Sequence, residues 1–69
     1  MISIDDLENR FTYHAPKDGE PATYQMIRNI AHSFATHLNE VCPDGREKAL
    51  AMTHLEEVVF WANASIARH

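Results

Sequence analysis

The sequence predicts an all-α fold in which a short N-terminal helix and an extended connector precede a long antiparallel helical hairpin that oligomerises. Two apolar stripes support this prediction, because their members recur at spacings of three and four. The first stripe consists of Tyr24, Ile27, Ala31, Phe34, Leu38 and Val41. The second consists of Met52, Leu55, Val59, Ala62 and Ile66. Only a short turn containing Pro43 separates the stripes, so the two helices are expected to pack antiparallel.

We predict one domain over residues 1–69, with helices at about 3–9, 21–41 and 45–67. Ser3 is suited to cap the first helix. Residues 10–20 lack periodicity and contain Asp18-Gly19, a turn signal, so we interpret them as the connector. Pro21 suits the first position of the second helix. Asp44 stands three residues before Glu47 and is expected to cap the third helix.

Size and apolar excess predict self-association. A chain of 69 residues buries only about 60% of its unfolded surface, and the single cysteine, Cys42, has no partner for an internal disulfide. In the third helix Val58, Phe60 and Trp61 lie off the stripe, and residues 58–61 span about 300° of the helix circumference. A single chain would leave part of this surface in water, so we assign these three residues to an oligomer interface.

Composition excludes several classes of function. The formal net charge of -4 disfavours binding to long nucleic acid, and no apolar run is long enough for a membrane span. The five histidines, at positions 14, 32, 37, 54 and 69, do not form helical metal-binding pairs, so we expect no metal. Phosphate-binding, dinucleotide and nucleophile motifs are missing as well. We therefore expect a protein without a cofactor that is not an enzyme.

Aromatic and basic residues provide the strongest functional signal. They are Tyr13, His14, Lys17, Tyr24 and Arg28. A tyrosine ring can stack on a base, and an arginine can meet a phosphate with two parallel hydrogen bonds. The same residues also allow a purely structural interpretation, with packed tyrosines and a surface salt bridge at Arg28.

Four ordered segments resemble the phage anti-CBASS protein 2 family, whose helical hairpin is shared with a Thoeris anti-defence family. The segments are Phe11-Thr-Tyr-His-Ala-Pro-Lys, Tyr24-x-x-Ile-Arg28, the ten residues beginning with Cys42-Pro-Asp-Gly, and residues 55–68. The resemblance covers residues 11–68. The family often has proline where this chain has Ala15, and serine where it has Gly45.

The resemblance implies a small hexameric protein in the cytoplasm of an infected bacterial host. Such proteins sequester cyclic dinucleotides, such as cyclic GMP-AMP, without cleaving them, and some members hold cyclic trinucleotides at a second site. By motif, Tyr13 takes the place of the base-stacking tyrosine and Arg28 that of the phosphate-contacting basic residue. Arg68 would add a lesser contact from a neighbouring subunit, with His14, Lys17 and Tyr24 nearby.

Two other hypotheses stay open. An enzyme that hydrolyses the cyclic nucleotide would need a metal or a base near the phosphate. A helical protein-binding module, similar to an antitoxin or an adaptor, would act through the exposed apolar face of the third helix, around Phe60 and Trp61.

Overall fold

The first helix, α1, spans Ile4–Phe11 in the computed structural model, which describes residues 1–69. The predicted cap is confirmed, because the Ser3 hydroxyl oxygen accepts a hydrogen bond from the Asp6 backbone N–H at 3.1 Å. The helix continues past its predicted end at residue 9. Arg10 forms an ion pair with Asp6 one turn earlier, with 3.1 Å between Nη2 and Oδ2, and such pairs favour continued helix. Arg10 and Phe11 are therefore helical and do not belong to the connector.

The connector is thus shorter than predicted and comprises residues 12–19. It ends in the turn that the sequence indicated at Asp18-Gly19. The backbone N–H of Glu20 donates to the Lys17 carbonyl at 3.0 Å, and Gly19 has φ 84° and ψ -16°. These angles fit the third residue of a type II turn, a position that favours glycine. The second helix, α2, spans Glu20–Val41, so Pro21 lies in its first turn, one position later than predicted.

The hairpin turn follows Val41, and the third helix, α3, spans Arg46–Arg68. The prediction of Asp44 as its cap is wrong. Gly45 occupies the cap position, and no side chain caps the helix. The Asp44 carboxylate instead accepts from Lys48 Nζ at 2.9 Å, because the ammonium group one turn into α3 attracts it. Lys48 Nζ also donates to the Asn39 carbonyl at 2.9 Å, which joins the start of α3 to the last turn of α2.

The contact between α2 and α3 follows the predicted stripes with two exceptions. All members of the second stripe are half-buried. In the first stripe, Phe34 is 55% exposed and Val41 is 75% exposed. Ala35 is half-buried and, together with Met52, lines a cavity between the two helices. A small side chain at this position lets the two helices approach closely, while the neighbouring ring of Phe34 remains outside.

The molecule forms a single layer of helices. Its principal-axis extents are 45 × 33 × 12 Å, too thin for a second layer of packed helices. No residue is fully buried, and the accessible surface of 5666 Å² exceeds the roughly 4,400 Å² of a compact protein of 7.9 kDa. The radius of gyration is 15.5 Å, against about 11 Å for a compact domain. Several large apolar side chains therefore face solvent in the single chain. None of the three helices combines the length and the apolar content that a membrane span requires.

Candidate functional site

The six candidate ligand residues all lie toward one end of the hairpin. Because α2 and α3 run antiparallel, the connector, the first half of α2 and the end of α3 meet opposite the Pro43 turn. We call this the open end. The candidates there are Tyr13, His14, Lys17, Tyr24, Arg28 and Arg68. Arg28 lies about 12 Å along the α2 axis from Glu20.

Tyr13 presents its ring to solvent from the connector. Its exposed fraction is 83%, and its hydroxyl makes no hydrogen bond within the chain. The next residue, His14, is half-buried, and its Nε2 lies 2.7 Å from the Asn9 carbonyl oxygen in α1. A carbonyl oxygen can only accept, so Nε2 carries the proton of this bond. The structural interpretation of Tyr13 as a packed loop aromatic is wrong for the single chain.

Tyr24 and Lys17 both contact Glu20, which the sequence analysis did not single out. The Tyr24 hydroxyl donates to Glu20 Oε1 at 3.4 Å, and the Lys17 backbone N–H donates to the same oxygen at 3.1 Å. Partial burial, followed by the charge and the hydrogen bond of Glu20, raises the pKa of Tyr24 above its ordinary value. Tyr24 is thus a neutral donor near neutral pH. No motif in the sequence marks this contact, because a capping box joins the N-cap to the third helical residue, whereas Glu20 is the first residue of α2.

Arg28 is exposed and has no carboxylate partner. Its Nη2 donates to Gln25 Oε1 at 2.8 Å, and Gln25 Nε2 donates in turn to Asn29 Oδ1 at 2.8 Å. The expected alternative, a surface salt bridge at Arg28, is therefore wrong in this chain. A guanidinium held by a neutral amide keeps its full charge for an anion. Arg28 is four residues from Tyr24, but the two side chains have different hydrogen-bond partners, Gln25 and Glu20.

Arg68 lines a recess between α1 and the end of α3. The recess has a volume of about 420 Å³. Its lining residues are Asp6, Asn9, Arg10, Phe11, Trp61, Arg68 and His69. Neither Tyr13 nor Arg28 belongs to it, and within one chain no pocket encloses these two residues together.

An apolar groove runs between α2 and α3 on one face of the hairpin. It holds about 260 Å³, and every lining residue is hydrophobic. These residues are Ile27, Ile30, Ala31, Phe34, Leu55, Val58 and Val59. Trp61 lines the recess instead, and Phe60 lines neither feature. Val58 and Phe60 are about 200° apart around the helix, so the three residues assigned to the interface do not all share one face.

Titratable side chains are scattered over the surface. The one histidine–carboxylate pair joins His54 Nδ1 to Glu57 Oε2 at 3.9 Å on the exposed side of α3. Nowhere do three or more histidine, cysteine, aspartate or glutamate side chains gather in a way that could hold a metal ion.

The fold is thus a small all-helical hairpin domain of one layer, with basic and aromatic side chains at its open end. Among known families, the model described as the Acb2/Tad1 hairpin domain matches residues 3–67. The chain belongs to this family, which confirms the resemblance to anti-CBASS protein 2, and it is accordingly an anti-defence hairpin domain. Comparisons with curated proteins and with solved structures give no significant match.

Proposed function

We propose that this protein binds cyclic dinucleotides such as cyclic GMP-AMP and sequesters them without cleavage. In the cytoplasm of an infected bacterial host, this would withhold the messenger of CBASS immunity from its effector. The observation that carries the proposal is the guanidinium of Arg28, which no carboxylate neutralises, together with the exposed ring of Tyr13, in a chain whose net charge is -4. Such a chain binds an anion only where a local positive charge is left free.

Symmetry explains how two residues can serve one ligand. A cyclic dinucleotide has two bases and two phosphates related by an approximate two-fold axis. An isologous pair of chains offers each residue twice. Two Tyr13 rings would stack on the bases, and two Arg28 groups would neutralise the phosphates. Arg68 would add a lesser contact from a neighbouring subunit, while His14, Lys17 and Tyr24 complete the surroundings.

The proposed assembly is a homohexamer in which second copies cover the apolar groove. The accessible surface exceeds that of a compact protein by more than about 1,000 Å², an area comparable to what each partner buries in a specific interface. Val58 lies in the groove, and Phe60 points about 200° away from it. Apolar surface on opposite faces allows each chain to contact two neighbours. We assign Val58, Phe60 and Trp61 to these interfaces.

Sequestration is favoured over hydrolysis by the residues at the open end. In-line attack on a phosphodiester requires a base or a metal-bound water aimed at phosphorus. Tyr13, Arg28 and Lys17 supply stacking and positive charge, and Glu20 is engaged by Lys17 and Tyr24. A cyclic trinucleotide at a second, separate site is a further part of the proposal, taken from the family.

Calorimetry with a panel of cyclic di- and trinucleotides, followed by chromatography of the recovered ligand, tests this proposal. Tyr13→Ala and Arg28→Ala should each weaken binding of cyclic GMP-AMP by about 1–3 kcal/mol per contact, which symmetry doubles. Arg28→Lys should retain part of the binding, because the charge remains while the two parallel hydrogen bonds to the phosphate are lost. Arg46→Ala, at the opposite end of the hairpin, is the matched control and should bind like wild type.

Two results would contradict the proposal. Recovery of linear nucleotide would indicate a hydrolase. Wild-type affinity in both alanine variants would show that the site assignment is wrong.

A protein-binding module is the second candidate, and the uncovered apolar groove is the observation that favours it. The groove would then receive an apolar segment of a foreign protein. The oligomeric state from light scattering, together with a pull-down for bound proteins, distinguishes the two candidate functions. A hexamer that captures no partner argues against this module, whereas a monomer that binds a host protein and ignores cyclic nucleotides would replace sequestration with it.

A further inference from the structure

The connector that carries Tyr13 is fastened at two points, His14 and Lys17. On the α1 side, the His14 ring donates from Nε2 to the Asn9 carbonyl at 2.7 Å. Asn9 lies in the last turn of α1, where carbonyl groups have no partner within the helix. His14 therefore satisfies a helix-terminal acceptor and holds the chain immediately after Tyr13 against α1.

On the α2 side, Glu20 and Lys17 hold each other through two reciprocal hydrogen bonds. The Lys17 N–H donates to Glu20 Oε1 at 3.1 Å, and the Glu20 N–H donates to the Lys17 carbonyl at 3.0 Å. The Tyr24 hydroxyl reaches the same carboxylate oxygen at 3.4 Å and fixes it from one turn further along α2. The connector is thus held to α1 through His14, directly after Tyr13, and to α2 through Lys17.

We infer that His14 and Glu20 are positioning residues that hold the connector so that Tyr13 is presented to a cyclic dinucleotide in its binding geometry. This inference rests on the proposed function. A ligand that binds a preformed segment does not lose affinity to the ordering of that segment. Affinity falls in proportion to the fraction of molecules that hold the competent geometry.

The negative charge of Glu20 distinguishes a positioning role from direct contact with the ligand. A carboxylate near an anion site repels a dianionic ligand, so its charge alone would weaken binding. If Glu20 acts through the connector, an amide that keeps the Oε1 acceptor should replace it without loss. The hydrogen bond of His14 likewise argues against a ligand contact, because its Nε2 proton is donated to the Asn9 carbonyl. In the neutral ring Nδ1 is an acceptor and cannot donate to a phosphate.

Two pairs of variants test the inference by calorimetry with cyclic GMP-AMP. His14→Leu and Glu20→Leu remove the hydrogen bonds and should each weaken binding about tenfold, the loss expected for one net hydrogen bond. His14→Gln and Glu20→Gln keep a donor and an acceptor, respectively, and should bind within about threefold of wild type. Hydrogen exchange of residues 12–19 should accelerate in the leucine variants and return toward wild type in the glutamine variants.

Tyr13→Ala distinguishes failure of the inference from failure of the proposed function. If Tyr13→Ala binds like wild type, the proposed site itself is wrong. If Tyr13→Ala loses binding while both leucine variants keep it, the site stands and the positioning role is overturned. Equal losses in the leucine and glutamine variants, or equally accelerated exchange throughout α2 and α3, would also overturn it.

Discussion

Replacing Lys48 with methionine tests the connection between the two long helices at the turn. Lys48 Nζ lies 2.9 Å from the Asn39 carbonyl of α2 and 2.9 Å from the Asp44 carboxylate. Its side chain is only 13% exposed, whereas that of Asp44 is 98% exposed. Methionine keeps an unbranched apolar chain of similar length. The variant Lys48→Met therefore removes the charge and both hydrogen bonds while preserving most of the packing.

The two bonds of Lys48 should contribute unequally. A hydrogen bond to a charged group contributes about 1.5–3 kcal/mol, and the cation also interacts favourably with the C-terminal end of α2. The pair with Asp44 is solvated on the carboxylate side and contributes at most about 1 kcal/mol. We expect Lys48→Met to lower the free energy of unfolding by about 2 kcal/mol. In a domain of this size that corresponds to a decrease in Tm of about 8–16 °C.

Thermal and urea unfolding, followed by circular dichroism at equal protein concentrations, measure this effect. Asp44→Asn is the matched control, because it removes only the exposed partner, and it should cost less than about 1 kcal/mol. If Lys48→Met destabilises no more than Asp44→Asn, the bond to the Asn39 carbonyl contributes nothing and the reasoning fails. Binding of cyclic GMP-AMP should be unchanged in both variants, since the turn lies opposite the open end.

Three further predictions concern other parts of the chain. Gly19→Ala should lower the free energy of unfolding by about 1–2 kcal/mol, because Gly19 has φ 84° and the cost is conformational, with no neighbour within 4 Å of an added Cβ; an unchanged urea midpoint would contradict this. Val58→Asp and Trp61→Asp should each place a charge in an interface and increase the elution volume in size-exclusion chromatography, whereas wild-type elution would remove the residue concerned from the interface. The pKa of Tyr24 is raised, so the folded chain favours the neutral phenol. This contribution to the free energy of unfolding is complete below the unfolded pKa of about 10 and is lost as pH rises through the folded pKa. Urea unfolding at a series of pH values between about 9 and 11 should therefore show a smaller decrease in the free energy of unfolding for Tyr24→Phe than for wild type.

Local signals predicted the helices well because the determinants of their ends lie within a few residues. Ser3 caps α1 as expected, and Pro43 follows the end of α2. The errors arose where longer side chains had competing partners. Asp44 has a residue type that is suited to cap α3, but its carboxylate pairs with Lys48 instead. The ion pair between Arg10 and Asp6 favours two further residues of helix at the end of α1. A pattern of residue types contains no information about which of two available partners is nearer.

Burial was harder to predict than helix position. The spacing rule placed Phe34 on the inner stripe because it is apolar, although in the structure Ala35 is half-buried and Phe34 is 55% exposed. Where two helices approach closely, a methyl group fits better than a ring, and spacing alone does not express that preference. The exposed apolar surface of α3 was predictable, since residues 58–61 cannot all face one neighbouring helix.

The candidate site was predictable in its residue types but not in its internal organisation. Tyr13 and Arg28 followed from a motif in the sequence. The structure adds that the Tyr13 hydroxyl makes no hydrogen bond within the chain, and that Arg28 donates to an amide and not to a carboxylate. Glu20 went unnoticed because an acidic residue beside a proposed anion site is not an obvious candidate. Its contribution lies in what it holds in place, which composition and charge do not reveal.

A protein that is only one helix thick has two exposed faces and no buried interior. Its backbone extents of 45 × 33 × 12 Å leave every apolar side chain within reach of water. If further copies cover its apolar faces, as proposed above, the stability of the folded chain depends on the protein concentration. We therefore expect the folded fraction to decrease on dilution, so that a melting temperature characterises this protein only together with the concentration at which it was recorded.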